Sequence, residues 1–150
     1  MKKILLMASA VLIGAAAFAQ PKVYVTRDIS PEALVRIYKA LGHKAKGKVA
    51  VKISTGEAGN SHYLKPELIG PLVKKVKGTI VECNTAYGGN RSNTASHRRA
   101  IEERGYGKIA TVDIMDEDGG MELPMQDTKW FSENLVGSHL ANYDFMINLA

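Results

Sequence analysis

The residues best suited to chemistry lie in two polar segments, each of which directly follows an apolar run. Residues 54–65 read STGEAGNSHYLK, and residues 84–97 read NTAYGGNRSNTASH. Hydroxyl, amide, carboxylate, guanidinium and imidazole groups occur side by side in them, a mixture that favours binding of an anionic or polar small molecule. The candidate ligand-binding residues are Ser54, Thr55, Glu57, His62, Asn84, Tyr87, Arg91, Thr94 and His97.

The second segment carries the chemistry that an anionic group requires. Gly88 and Gly89 allow the backbone to approach a ligand without a clash from Cβ, and Arg91 offers a planar, permanently charged fork of donors. The segment then opens a helix, whose free N–H groups and dipole favour negative charge. The alternative is that Asn93 or Thr94 simply caps this helix and that Arg91 is solvated.

His97 and His62 are the candidate catalytic residues, because the ordinary pKa of histidine lies near working pH and suits proton transfer. His97 stands one helical turn before Ile101 and should point inward. The alternative for His97 is a hydrogen-bonded core histidine. Two histidines with Glu57 could bind a metal, but neither H-x-x-x-H nor H-x-H spacing is present, so the sequence predicts no metal site.

Apolar runs and amphipathic segments alternate along the chain. This pattern predicts an α/β fold with a mainly parallel sheet and helices on both faces. The expected strands lie near 23–26, 48–53, 79–83, 108–115 and 143–149, with a short returning strand at 121–125. The expected helices are 31–41, 66–78 and 94–104.

Local signals mark the ends of the helices. Ser30 is a good N-cap, Pro31 suits the first helical position, and Gly42 can end the same helix. In the second helix Pro71 removes a backbone donor, which predicts a kink or a break near Gly70.

The order of elements places both polar segments at the same edge of the predicted sheet. In an open parallel sheet, ligands usually bind outside the carboxyl ends of the strands. Connections in such folds normally take about 2 to 6 residues, whereas these two segments are clearly longer. Their excess length is the strongest functional signal in the sequence.

The N-terminus has the layout of a secretory signal peptide. Lys2 and Lys3 precede an apolar run from residue 4 to residue 16, and the sequence Ala-Phe-Ala at 17–19 provides a cleavage site. The run is shorter than the ~20 residues that a membrane-spanning helix needs. We therefore expect cleavage after Ala19, a periplasmic or secreted protein without a stable membrane span, and one α/β domain over residues 20–150. A membrane anchor or a buried helix is the alternative.

Charge and cysteine content exclude several classes of protein. The formal net charge is +5, and no run of lysine or arginine exceeds two residues, so the sequence does not predict a nucleic-acid partner. Cys83 is the one cysteine of the chain, which allows no internal disulfide and no iron–sulfur cluster ligated by this chain alone. Beside Ile80 and Val81 it reads as a small, buried thiol.

Three motifs together carry a family resemblance. STGE, YLKPELI and the pattern NTAYGG-R--T--H resemble the N-terminal half of the family called domain of unknown function 362, and the similarity extends from about Val23 to Ala150. The resemblance implies a larger α/β domain, often linked to a ferredoxin-type iron–sulfur module. It implies no settled activity, so no catalytic residue is carried over, and the cysteines of such a module are absent from this chain.

Two functional hypotheses follow from these observations. The first is a site for a small-molecule anion or other polar ligand, with an unknown cofactor requirement, between the two polar segments. The second is a non-catalytic half-domain completed by a partner chain that supplies the missing half or a ferredoxin-type redox module. The final residues, YDFMINLA, favour the second hypothesis, because they read as a strand buried on both faces that should lead into a further crossover.

Overall fold

Residues 21–149 are described by a computed structural model, in which helices and strands alternate over most of the chain. The α-helices are α1 (Pro31–Ala40), α2 (Pro66–Val76) and α3 (Thr94–Glu103). The strands are β1 (Val49–Lys52), β2 (Thr79–Glu82), β3 (Val112–Ile114), β4 (Gly120–Glu122), β5 (Leu135–Gly137) and β6 (Phe145–Asn148). Two 3-10 helices are η1 (Tyr106–Lys108) and η2 (Ser138–Asn142). The expected signal peptide, residues 1–19, lies outside the described residues.

Four strands form one parallel sheet in the order β3-β2-β1-β6. Val51 of β1 lies opposite Ile80 of β2 on one side and Ile147 of β6 on the other. The strands β4 and β5 form a separate antiparallel pair. The predicted α/β class with a mainly parallel sheet is therefore confirmed.

The two faces of the four-stranded sheet are covered differently. One face presents Val51, Ile80 and Ile114 to a core that all three α-helices join, and the helices contribute Leu34, Ile69, Val73 and Ile101. The other face presents Ala50, Val81 and Met115, which pack against Leu140 of η2 and against Tyr143. The sequence predicts helices on both faces of the sheet. Within residues 21–149, however, the second face is covered by the 3-10 helix η2 and by no α-helix.

The ends of α1 follow the local signals in the sequence. The Ser30 hydroxyl accepts a hydrogen bond from the Ala33 N–H at 3.1 Å, and Pro31 occupies the first turn. The helix α2 continues through Pro71, so the predicted break is wrong. A proline removes one backbone hydrogen bond, but Ile69 and Leu72 on either side of it are buried and hold both halves of the helix against the core.

Two predicted strands differ from the structure. Residues 23–26 form no strand, and Val23 and Val25 are more than four-fifths exposed at 86% and 84%. β-rich side chains stabilise a strand only where they pack on a half-buried surface, and this segment has none. The predicted strand at 108–115 is shorter, because η1 occupies its start and β3 covers Val112–Ile114. The returning strand is confirmed as β4.

No helix within residues 21–149 combines the length and the apolar character needed to cross a bilayer.

Candidate functional site

The carboxyl ends of β1 and β2 bring the two polar segments together. These strands are neighbours in the sheet, and the Ile53 N–H still donates to the Val81 carbonyl at 3.2 Å beyond the end of β1. The segments that follow then contact each other directly. The Asn90 side-chain oxygen accepts from the Ala58 N–H at 3.2 Å, and the Tyr87 hydroxyl donates to Glu57 at 3.0 Å. The two loops therefore form one structural unit.

Arg91 links both loops to the sheet. Its Nε donates to Glu57 Oε1 at 2.8 Å, and its Nη1 donates to Glu82 Oε1 at 3.0 Å and to Ser54 Oγ at 3.2 Å. The residue is 6% exposed. The alternative of a solvated Arg91 therefore does not describe this arginine. Its donor fork is occupied by two carboxylates of the same chain.

Glu82 is the residue of this site that sequence reasoning missed. It ends β2 and is 2% exposed. Its Oε1 accepts from the Thr55 N–H at 2.7 Å, from the Thr55 hydroxyl at 3.0 Å and from Arg91. The sequence signal that could have identified Glu82 is its position within the apolar run TIVEC, because a charge that is buried in such a strand requires a partner.

His97 lies behind the loops and has no exposed surface. Its Nε2 is 3.1 Å from the Thr55 hydroxyl oxygen, and its Nδ1 is 3.3 Å from the Asn84 side-chain oxygen. A neutral imidazole carries one N–H, so His97 donates either from Nε2 to the Thr55 hydroxyl or from Nδ1 to Asn84 Oδ1. Burial is the main cause that lowers the pKa of His97, so the ring is neutral near pH 7. This geometry matches a hydrogen-bonded core histidine, and a catalytic role stays a prediction.

The loops enclose an open cavity of about 550 Å³. Five of the nine candidate ligand-binding residues line it, and they are Ser54, Glu57, His62, Tyr87 and Arg91. The other four form the hydrogen-bonded layer behind the cavity, and they are Thr55, Asn84, Thr94 and His97. The structure thus brings all nine candidates together, in two layers.

The start of α3 is satisfied by its own cap. The Asn93 side-chain oxygen accepts from the Ser96 N–H at 3.0 Å, while the Thr94 hydroxyl accepts from the Asn84 amide at 3.0 Å. Asn93 therefore caps α3, as the alternative interpretation of the sequence predicts. These bonds leave fewer free donors for an anion than the sequence suggests.

Gly89 permits a close approach within the protein itself. Its φ of +142° is unfavourable for other residues, and an added Cβ would lie 3.0 Å from Glu57 Oε2. Nothing lies within 4 Å of an equivalent Cβ on Gly88. The close approach that the glycine pair predicted is thus made by the Glu57 carboxylate.

Opposite charges balance around the cavity. The hydrogen bond from Arg91 is the main cause that lowers the pKa of Glu57, which keeps this carboxylate charged near neutral pH. The Arg104 guanidinium donates to the carbonyl of Gly56 at 2.8 Å. The cations Arg91 and Arg104 therefore face the anions Glu57 and Glu82, and the local field favours neither sign strongly.

A second group of polar side chains lies on the opposite face of the sheet. One ligand atom each from Asp113, Glu117 and His139 lie within 4.8 Å of one another. None of the three lines the cavity between the loops. No pattern in the sequence indicates this group, because His139 is distant in the chain from Asp113 and Glu117.

Comparison with known proteins identifies a family and no characterised relative. Residues 49–150 match the family model described as Domain of unknown function (DUF362). The match covers every strand of the four-stranded sheet and both polar loops, and it begins later than the expected position near Val23. No curated protein and no solved structure matches the chain.

Proposed function

The chain belongs to the family described as a domain of unknown function (DUF362), a description that assigns no activity, and we propose that it binds a polar small molecule between its two loops. One observation carries the proposal. Both loops are longer than the connections of the fold require, and they are hydrogen-bonded to each other around a cavity of about 550 Å³. This volume lies in the range of small-molecule sites.

The charges around the cavity narrow the class of ligand. Glu57 already occupies the donor fork of Arg91, so a strongly anionic ligand would have to displace that carboxylate. A hydroxylated or zwitterionic molecule requires no such displacement. It can donate to Glu57 and accept from His62, which is exposed. The ligand is therefore polar with little net charge.

The roles of the two histidines differ in this proposal. His62 is exposed and lines the cavity, where it can contact the ligand and transfer a proton. His97 contacts Thr55 and Asn84 and positions the loops from behind.

The protein is exported through its N-terminal signal peptide and meets its ligand outside the cytoplasm.

The test is a thermal-shift screen with purified protein against sugars, polyols, amino acids, carboxylates and phosphates. A hydroxylated or zwitterionic compound should raise Tm of the wild type. The shift should shrink in His62→Gln and in Tyr87→Phe, because both side chains line the cavity. His43→Gln is the matched control, since His43 is exposed and lies away from the loops. Absence of any stabilising compound, or equal shifts in His62→Gln and His43→Gln, argues against the proposal.

Arg91→Ala is a poor variant for this screen. Its buried charge is paired with Glu82, so its removal destabilises the fold whether or not a ligand binds. Substitutions at exposed residues of the cavity test ligand binding without removing a buried charge from the fold.

A second candidate function is that of a half-domain that serves a partner chain. The observation in its favour is the open cavity of about 720 Å³ on the sheet face opposite the α-helices. Its apolar lining includes Met115, Leu135, Val136, Leu140 and Met146, and Leu135 is 66% exposed. The partner would supply an apolar segment to this face. Light scattering should then find the purified chain oligomeric or aggregated, and Leu135→Ser should reduce this association. A monomer with a single cooperative unfolding transition would contradict this candidate.

A further inference from the structure

A group of metal-ligating side chains lies at the carboxyl end of β3, on the face opposite the α-helices. Asp113 belongs to β3, Glu117 to the turn that follows it, and His139 to η2. Two backbone segments therefore supply the group, namely the end of β3 with its turn, and η2. One carboxylate oxygen from each acid and one ring nitrogen lie within 4.8 Å of one another. Small side-chain rotations can bring them around a single ion.

These side chains are partly buried and held in place. His139 Nδ1 lies 2.8 Å from Asp113 Oδ1, and the Tyr143 hydroxyl donates to Asp113 Oδ2 at 2.6 Å. The side chains of His139 and Asp113 are 18% and 16% exposed. The group therefore differs from a cluster of exposed acids, because an imidazole converges on fixed carboxylates.

Each member also has the kind of outer partner that orients metal ligands. A metal-bound histidine usually donates its other ring N–H to a carboxylate, which fixes the ring and makes it a better ligand. His139 Nε2 lies 2.8 Å from Asp118 Oδ2, on the side of the ring away from Asp113. Tyr143 orients Asp113, and Arg98 forms an ion pair with Glu117.

We propose that Asp113, Glu117 and His139 bind one divalent transition-metal ion, with the remaining coordination positions open to water. His139 would bind through Nδ1 and donate its Nε2–H to Asp118. A ligand set of two carboxylates and one imidazole suits Zn²⁺ or Mn²⁺, whereas Mg²⁺ and Ca²⁺ prefer oxygen alone. Zn²⁺ should bind more tightly than Mn²⁺, as it does at most mixed nitrogen and oxygen sites.

The proposal is independent of the polar cavity. None of the three proposed ligands lines that cavity. A site with three protein ligands and open positions can activate a bound water or hold an anionic group of a ligand. A bound metal ion would therefore let the second face of the sheet activate water or bind an anionic group, which the paired charges of the loops do not do.

The test is calorimetric titration of Zn²⁺ into the purified full chain, with Mg²⁺ in a parallel titration. The expected result is one Zn²⁺ per chain and much weaker binding of Mg²⁺. His139→Gln and Glu117→Gln should each raise Kd for Zn²⁺ at least about tenfold, because each removes one ligand. Asp118→Asn should raise Kd by about 10-fold to 100-fold, because the Asp118 carboxylate that orients the His139 ring is lost.

Two control variants separate this site from other zinc-binding groups on the surface. Glu122→Gln changes an exposed carboxylate of β4, and His43→Gln changes an exposed histidine elsewhere. Both should leave Kd unchanged. Circular dichroism of each variant without metal checks that it is folded, and the exposed position of Asp118 makes Asp118→Asn the variant least able to disturb the fold.

Three outcomes would overturn the proposal. The first is that the wild-type chain binds no Zn²⁺. The second is that folded His139→Gln and Asp118→Asn bind Zn²⁺ as tightly as the wild type, which would leave the group as a clamp of ion pairs between η2 and β3. The third is that binding is lost in His43→Gln and retained in His139→Gln.

Discussion

Replacement of Arg91 by methionine tests whether the buried ion pair holds the two loops on the sheet. Methionine keeps the unbranched apolar stem of the side chain and removes the charged guanidinium, so Glu82 is left as a buried carboxylate whose side chain is 3% exposed. Breaking a buried pair by removing one partner costs about 3–5 kcal/mol. The lost contact with Glu57, which is 35% exposed, adds only about 0–1 kcal/mol.

This loss is large against the whole stability of a single domain, which is about 5–15 kcal/mol. The assay is urea unfolding at neutral pH, followed by circular dichroism. Arg91→Met should unfold at a much lower urea concentration than the wild type. The control is Arg99→Met on the exposed side of α3, which should change the free energy of unfolding by no more than about 0.5 kcal/mol.

The double variant Glu82→Gln/Arg91→Met identifies the cause. In Arg91→Met the remaining cation beside Glu82 is Lys52, whose Nζ lies 3.8 Å from Glu82 Oε2. If loss of the closer cation destabilises the variant, neutralising Glu82 should recover part of the loss. The double-mutant cycle should then show a coupling energy in the range of about 0.5–3 kcal/mol. An Arg91→Met variant as stable as Arg99→Met would contradict a structural role of the ion pair. Additive effects of Glu82→Gln and Arg91→Met would contradict it as well.

Three other predictions concern His97, the glycine pair and the N-terminus. Burial lowers the pKa of His97 below its ordinary 6.5. Below about pH 6.5 the unfolded chain therefore binds a proton at this histidine that the folded chain does not bind. The free energy of unfolding should fall as the pH drops through this range. His97→Gln should flatten this part of the urea-midpoint profile, and an unchanged profile would contradict the assignment. Gly89→Ala should cost about 1–3 kcal/mol because of its positive φ and the nearby carboxylate, whereas Gly88→Ala should be close to neutral in the same unfolding assay, and equal effects would count against the strain. Sequencing of protein secreted by its native host should begin at Gln20, and retention of the initiator methionine would show that no signal peptide is removed.

The class of the fold followed from short-range patterns. Buried parallel strands are continuous apolar runs, and β1 and β2 lie within such runs and are buried. The prediction that β6 is buried on both faces is wrong, because β6 lies at the edge of the sheet and every second residue of it is exposed. Ser30 and Asn93 cap α1 and α3 through contacts only three residues long, so the sequence indicates both starts. The same local evidence misled at Pro71, where distant packing keeps α2 continuous, and at 23–26, where residues 21–149 supply no partner strand.

The residue types of the candidate site could also be predicted, but their pairing could not. The sequence shows Arg91 as a possible donor to a ligand. Its actual partners stand 34 residues away at Glu57 and 9 residues away at Glu82, and several other carboxylates are closer in the chain than Glu57. The parallel register of β1 and β2 decides which of them reach the guanidinium.

The amino-acid sequence by itself therefore determined the strands of the parallel sheet to within a few residues, the helix starts and the two long loops at one edge, because these depend on neighbours within a few residues. Only the tertiary structure decided which charges meet. It places His139 beside Asp113, 26 residues away, and it gathers Lys39, Lys44, Lys46, Lys75 and Lys77 around one groove although no run of basic residues exceeds two. Such contacts depend on strand order and crossover geometry, which bring distant segments together through packing of the whole core.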